Sequence, residues 1–291
     1  MRILLFGSIG QLGWELNRSL LPLGSMSIYD YPDVDFTHPE QIRPIVAASR
    51  PDLIVNAVAY TNVDKAESEP EAARLVNGTA AGVLAEEARK TGAFLIHYST
   101  DYVFDGRKGA PYVESDAVAP LNVYGQSKLM GEQAIQQVGG AALILRTSWV
   151  YSLRLGGFVP RVLQWARSQP TLRLVTDQVG SPTWARALAE ITCQMIARAG
   201  QPPFDWLVER KGLYHLAGSG YASRYEWAQA ILACDPRPQE QTARSVMPAL
   251  TADFPTPAVR PLFSALDCSA FNRMFQLQLP PWQKALQLAM Q

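Results

Sequence analysis

Arg2-Ile3-Leu4-Leu5-Phe6-Gly7-Ser8-Ile9-Gly10-Gln11-Leu12-Gly13 decides how the rest of the chain is read. The apolar run Ile3 to Phe6 has the length and composition of a buried strand. It leads straight into three glycines, and then into a segment that places Leu12, Leu16 and Leu20 on one helical face. Glycines alone only punctuate turns. Between a strand and a helix they serve three different ends, since Gly7 permits the tight turn, Gly10 lets the backbone approach a pyrophosphate, and Gly13 lets the helix pack close to the strand. Amide donors and the positive helix end then face the phosphates. Gly7, Gly10, Gln11, Leu12 and Gly13 are therefore candidate contacts for the phosphate end of a dinucleotide.

Outward from this turn, short apolar runs recur at 3–6, 26–29, 52–58, 94–99 and 142–148, alternating with segments of helical period at 11–21 and 72–89. Strands separated by helices predict βαβ units and a parallel sheet covered on both faces, an α/β, Rossmann-like doubly wound fold. After Val150 the texture changes. Gly156-Gly157, Pro160, Pro170, Pro182 and a Pro-rich stretch at 236–261 interrupt the pattern. Shorter helices are expected at 158–167, 183–199, 224–233, 269–275 and 281–290, with a strand at 213–217. The expected division is a dinucleotide-binding domain over 1–150 and a smaller C-terminal substrate-binding lobe over 151–291, with about 183–218 returning to the main sheet.

The 291 residues carry 26 basic and 26 acidic side chains. Zero formal charge removes the broad attraction on which polyanion binders rely, so nucleic acid and anionic membrane surfaces are not expected partners. Cys193, Cys234 and Cys268 are odd in number, far apart and without a CxxC pair, which fits neither a disulfide framework nor a zinc knuckle. The apolar run after Met1-Arg2 is shorter than the about 7–15 residues of a signal-peptide core, and about 18 consecutive apolar residues occur nowhere. A cytoplasmic location is expected. His38, His97 and His215 stand singly without partners at ligand spacing, and His97 and His215 read as core residues.

Asp30 ends the strand after the glycine turn, 17 residues beyond Gly13, near the spacing of the acidic residue that holds an adenosine ribose. A carboxylate there accepts from both ribose hydroxyls and repels a 2′-phosphate, which leans toward NADH over NADPH. Neighbouring Asp33 and Asp35 could share the role. Further on, the run at 94–99 continues into Thr100-Asp101-Tyr102, and Pro120-Leu121-Asn122-Val123-Tyr124-Gly125-Gln126-Ser127-Lys128 follows. Tyr124 and Lys128, four apart, share one helical face, so an ammonium can lie beside a phenol. That neighbour favours phenolate and lowers the tyrosine pKa, making the phenol a usable proton donor to a carbonyl oxygen. The spacing also occurs on solvated helix faces. Its coupling to a glycine turn and a hydroxyl at a strand end is what points to chemistry.

The combination resembles the short-chain dehydrogenase/reductase superfamily in its extended form. Five further segments sharpen the match: 10–16, Asn56-Ala57-Val58-Ala59-Tyr60-Thr61-Asn62-Val63-Asp64-Lys65-Ala66-Glu67, Ser99-Thr100-Asp101-Tyr102-Val103-Phe104-Asp105-Gly106, Arg146-Thr147-Ser148-Trp149-Val150-Tyr151 and Asp177-Gln178-Val179-Gly180-Ser181-Pro182-Thr183. With 120–125 and Arg260-Pro261 they look like the signatures of the dTDP-4-dehydrorhamnose reductase family, over nearly the whole chain. The resemblance implies hydride transfer from NADH or NADPH to C4 of dTDP-6-deoxy-L-lyxo-4-hexulose, giving dTDP-L-rhamnose. It implies that Tyr124 protonates the new oxygen, Lys128 tunes Tyr124 and holds the nicotinamide ribose, and Thr100 hydrogen-bonds the carbonyl. Asp101 and Trp149 match sugar-nucleotide contacts, although Trp149 also suits a core. Arg260 matches a residue near the diphosphate and equally suits a surface guanidinium. Asp30, Asp35-Phe36 and Ala59, Tyr60 and Thr61 match cofactor contacts. Asn77 matches a superfamily asparagine, and bonding to nearby backbone explains it as well.

The chain departs from the family pattern at a magnesium bridge that some members form with three glutamates per chain. Glu15 remains, but Arg186 and Gln283 stand at the other two positions. A guanidinium and an amide cannot replace oxygen ligands of a hard cation. No bridging Mg, and a monomer or a homodimer not bridged by metal, is expected. Phe263 stands before Ser264 where the family has asparagine. Two other readings compete with the reductase: a nucleotide-sugar epimerase of the same superfamily, and a non-catalytic subunit resembling the methionine adenosyltransferase beta subunit. The joint presence of Thr100, Tyr124 and Lys128 disfavours the second, because a purely structural protein needs no such set in register.

Overall fold

The structure, a computed structural model, describes residues 1–154, 156–202 and 204–291. Its main sheet has six strands, β1 (Arg2–Phe6), β2 (Ser25–Tyr29), β3 (Leu53–Asn56), β4 (Phe94–Thr100), β5 (Ala142–Thr147) and β6 (Gly212–His215). They lie in the order β6-β5-β4-β3-β1-β2 and every pairing is parallel. Strand order reverses at β1, where β2 lies on one side and β3 on the other. This switch point is where an open α/β sheet offers a crevice.

Helices α1 (Gln11–Leu20), α2 (Ile42–Ser49), α3 (Ala80–Thr91), α4 (Val123–Val138), α5 (Phe158–Ser168), α6 (Ala185–Ala199) and α7 (Arg224–Ala233) follow in chain order. The pleat of β1 divides the core in two. Ile3 and Leu5 join Leu12, Leu16 and Leu20 of α1 and Leu188 and Met195 of α6 on one face. Leu4 and Phe6 join Ile42 and Val46 of α2, Leu84 of α3 and Ile135 of α4 on the other. The sheet is thereby covered on both sides, which is why its strands read as continuous apolar runs.

A separate core lies beyond β5, where Tyr151, Val159, Val162, Trp227, Ile231, Trp282 and Leu286 pack together under α5 and α7. Two-stranded pairings stitch this region: 171–175 with 245–249, 179–180 with 222–223, and 150–151 with 183–184. From it the chain re-enters the main sheet through α6 and β6, and Phe271 and Phe275 of a later helix join the α1 face.

Three local departures from the sequence expectation have physical reasons. The strand at 52–58 ends at Asn56, because the Asn56 carboxamide accepts the Val58 N–H and turns the chain. The helix expected at 183–199 starts at Ala185, since Thr183 and Trp184 pair as a strand with Val150 and Tyr151. The helix expected at 72–89 is interrupted by a π-turn over Leu75–Thr79. There Gly131 of α4 comes so near that a Cβ on it would stand 2.2 Å from the Asn77 carbonyl oxygen.

Candidate active site

The glycine turn is built as its residue types require. Gly7 has φ +89, and a Cβ on it would lie 2.7 Å from the Ala57 backbone. A Cβ on Gly13 would overlap the Gly7 carbonyl oxygen at 1.8 Å, so α1 can pack this close only without a side chain there. Gly10 is different. Its Cβ would meet only the Gly7 oxygen, at an ordinary 3.5 Å. The protein's own packing does not require glycine at that position, which lines the cleft and leaves its backbone open to an approaching group. The cradle therefore fits a dinucleotide phosphate.

Asp30 follows β2 beside this turn, where its carboxylate accepts from Ile9 N at 2.8 Å and Tyr31 N at 2.9 Å. Asp35 and Phe36 are committed elsewhere. The Asp35 carboxylate takes both the N–H and the hydroxyl of Thr37, and buried Phe36 sits edge-on to Phe6 with centroids 5.4 Å apart. Tyr60 gives its hydroxyl to Glu69, while Ala59 and Thr61 line the cleft. Gln11 also lines it, and its side-chain oxygen accepts from Ser152 N at 2.7 Å, tying α1 to the segment after β5.

A cavity of about 540 Å³ extends from this turn over the carboxyl ends of β3, β4 and β5. Thr100, Asp101, Tyr124, Lys128 and Trp149 all line it, so five residues expected to carry chemistry or bind sugar share one wall. Asn122 caps α4 by accepting Gly125 N at 2.8 Å. Gly125 lets the helix press on the turn that follows β4, since a Cβ there would be 2.2 Å from the Tyr102 carbonyl oxygen. This close approach sets the Tyr124 ring edge-on to Tyr102 with centroids 5.7 Å apart.

The electrostatics correct one expectation. Burial holds the Tyr124 phenol well above its ordinary pKa, with the Thr100 hydroxyl pulling it back in part. Lys128 does not lower it. Its Nζ donates to the Tyr98 carbonyl at 2.6 Å and lies 3.3 Å from His97 Nε2, and no hydrogen bond joins it to the phenol among the described residues. Burial also pushes Lys128 down to about 8, against the attraction of Glu132. Tyr124 thus stands protonated, the state a proton donor needs. Asp101 is pushed up to about 6 by burial, while hydroxyls including that of Ser264, 2.5 Å from Oδ2, draw it down.

Arg260 is engaged within the protein. Its guanidinium clamps Asp64 at 2.7 and 3.0 Å and lines a neighbouring cavity of about 400 Å³. Besides Lys128, the main cleft is lined by a second cationic side chain, Arg224, which carries no mark in the sequence. It lies 3.5 Å from the Trp149 ring centroid, is drawn down to about 10 by burial, and makes no ion pair among the described residues. Trp149 itself has φ +45, a strained value for an aromatic residue, and Gly180 leaves the room its indole fills. Of the three positions of the metal pattern, Arg186 pairs with Glu190 and also feels Glu15. Among the described residues no three His, Cys, Asp or Glu side chains cluster as a metal site, and no helix is long and apolar enough to cross a membrane.

A doubly wound sheet with a phosphate turn at its switch point, and a Thr, a Tyr and a Lys on one cleft wall, defines an NAD(P)-dependent oxidoreductase of the short-chain dehydrogenase/reductase class. The sequence profile of the RmlD substrate binding domain matches residues 1–291. The chain is 44% identical to the dTDP-4-dehydrorhamnose reductase of Escherichia coli K12 over 288 residues, 97% of this chain and 95% of that protein. The solved dTDP-4-dehydrorhamnose reductase of Clostridium acetobutylicum superposes with a TM-score of 0.88 at 30% identity, covering 100% of this chain and 98% of that one. The Bacillus anthracis enzyme, solved in complex with NADP, gives 0.87 at 31% identity, covering 99% and 97%. The chain belongs to the dTDP-4-dehydrorhamnose reductase family.

Proposed function

We propose that this protein reduces the C4 carbonyl of dTDP-6-deoxy-L-lyxo-4-hexulose to dTDP-L-rhamnose, and the observation that carries it is the shared wall of Thr100, Tyr124 and Lys128 beside the glycine turn. That turn, with Asp30, Ala59 and Thr61, would hold a reduced nicotinamide dinucleotide, which when bound would supply the hydride. Thr100 donates to the carbonyl oxygen, where negative charge grows as the bond forms. Tyr124, protonated in its buried setting, delivers the proton to that oxygen. Lys128 holds the nicotinamide ribose, and Asp101 and Trp149 contact the sugar nucleotide. Positioning both substrates supplies much of the remaining rate. Consumption of NADH or NADPH with the dTDP-4-keto sugar tests the reading, and no turnover with either cofactor overturns it. Asp30 favours NADH, and equal or better use of NADPH removes that preference.

Arg224, backed by Trp149 and with no ion pair among the described residues, suits the diphosphate of the sugar nucleotide. A charge-assisted hydrogen bond contributes about 1.5–3 kcal/mol. Arg224→Ala should therefore lower kcat/KM for the dTDP sugar by about 10–100-fold while leaving cofactor affinity in place. Unchanged kcat/KM would reassign this cation.

In this reading residues 1–150, with about 183–218, bind the dinucleotide and the rest of 151–291 binds the sugar nucleotide, in a cytoplasmic protein. Arg186 and Gln283 leave no bridging Mg site, and the protein is a monomer or a homodimer not bridged by metal. Its mass in solution should be the same with magnesium and with chelator. A dimer that dissociates on chelation contradicts this.

A further inference from the structure

At the wall of the cleft Lys128 is paired with His97, a buried side chain to which the proposed reduction assigns no role. Each is 1% exposed. Asn56 of β3 fixes the state of the ring. Its Oδ1 accepts the Val58 N–H at 3.0 Å, which leaves its Nδ2 against His97 Nδ1, also at 3.0 Å. An amide NH₂ only donates, so Nδ1 carries the lone pair, and the proton of the neutral ring sits on Nε2. Nε2 is the atom that faces Lys128 Nζ at 3.3 Å.

The other hydrogen-bond partner of Nζ is the Tyr98 carbonyl at 2.6 Å, which only accepts. A free amine satisfies both neighbours, donating to Tyr98 and accepting from Nε2–H. An ammonium can donate to Tyr98 but has no lone pair for Nε2–H, so two donors oppose each other. Turning the ring proton to Nδ1 relieves this only by setting it against the Asn56 amide.

The surrounding charges are few. Glu132, one turn along α4, attracts the Lys128 charge, but its carboxylate oxygens are bound by Arg146 and Ser99. Lys128 is the charge acting on His97, whose ring burial keeps neutral. The Tyr98 hydroxyl is engaged with Thr192. From the π-turn, Asn77 reaches Ser127 beside Lys128.

We propose that His97 is a positioning residue of the reductase site, which with its proton fixed on Nε2 by Asn56 opposes the ammonium form of Lys128 and favours its free amine. This rests on Lys128 serving the proposed reaction. Its consequence is an alkaline limb of activity that belongs to Lys128.

Nitrogen-15 NMR of the full chain tests the arrangement without turnover, and only three histidines need assignment. His97 should show the Nε2–H tautomer at neutral pH, and its ring signals should step with a midpoint near 8 as Lys128 loses its proton. The Nδ1–H tautomer, or no step below the ordinary lysine range, overturns the proposal. Two variants read the same device through kinetics. His97→Gln can present a carbonyl oxygen to the ammonium, and Asn56→Asp can draw the ring proton to Nδ1 and turn Nε2 into an acceptor. Both should move the alkaline limb of kcat/KM upward by about one pH unit, the usual size of an environmental shift. A limb that stays in place in folded variants assigns His97 to packing alone. If a variant does not fold, the NMR result decides. If the parent shows no turnover, the functional reading fails while the tautomer and the lysine step are still measured.

Discussion

Tyr124→Phe should lower kcat by about 10²–10⁴-fold, the usual worth of a positioned proton donor, while the cofactor binds as before. Phenylalanine keeps the ring, its edge contact with Tyr102 and the close approach at Gly125, so the cleft wall keeps its shape. Only the hydroxyl is lost. The phenol is held protonated by burial, so in the direction of reduction it donates without first having to take up a proton. Its removal leaves the new oxygen with the Thr100 hydroxyl, which can stabilise charge but carries a single proton that it also donates to the Asp101 carboxylate 3.2 Å away. Single-turnover oxidation of the reduced nicotinamide in parent and variant measures the chemical step itself. Equal rates would assign proton delivery to another group, with Asp101 next in line.

The parts of this site that could be read from sequence are those whose determinants are local. The glycine turn is legible because a strand, three glycines and a helix follow one another without a gap, and each glycine answers to a distinct steric need. Tyr124 and Lys128 are legible because four residues on a helix share a face. What failed was the step from sharing a face to an ammonium that lowers the phenol pKa. Lys128 reaches inward to the Tyr98 carbonyl on a neighbouring strand, a contact that no spacing along α4 encodes. The partner of Arg260 is hidden for a similar reason, since Asp64, which holds it, lies 196 positions away. Arg224 follows an ordinary capping serine and carries no local mark. Only the meeting of α7 with the segment after β5 places it on Trp149. Long-range pairing also explains the role of Asn56, which as sequence is the end of an apolar run and in the fold sets the tautomer of His97.

The second large effect is on stability, and it arises directly behind the catalytic helix. Glu132 lies four residues after Lys128 on α4 and accepts from Arg146 of β5 through both carboxylate oxygens, at 2.8 and 2.7 Å. Ser99 of β4 adds a third donor at 2.5 Å. Both charged side chains are nearly sealed, with 4% and 2% of their surface exposed, so neither can recover hydration if its partner is removed. Arg146→Met should therefore destabilise the protein by about 3–5 kcal/mol, the cost of stranding a buried carboxylate. Adding Glu132→Leu should recover much of that loss, because the double replacement removes the stranded charge and a well-packed apolar pair can match a buried ion pair. Chemical denaturation of the parent, both single variants and the double variant closes the cycle, and additive losses would mean that the two groups do not act as a pair. The same cycle read by kcat bears on the site. Glu132 fastens the part of α4 that presents Tyr124 and Lys128, so the double variant should be folded yet slower than the parent, its loss confined to the geometry of those two side chains.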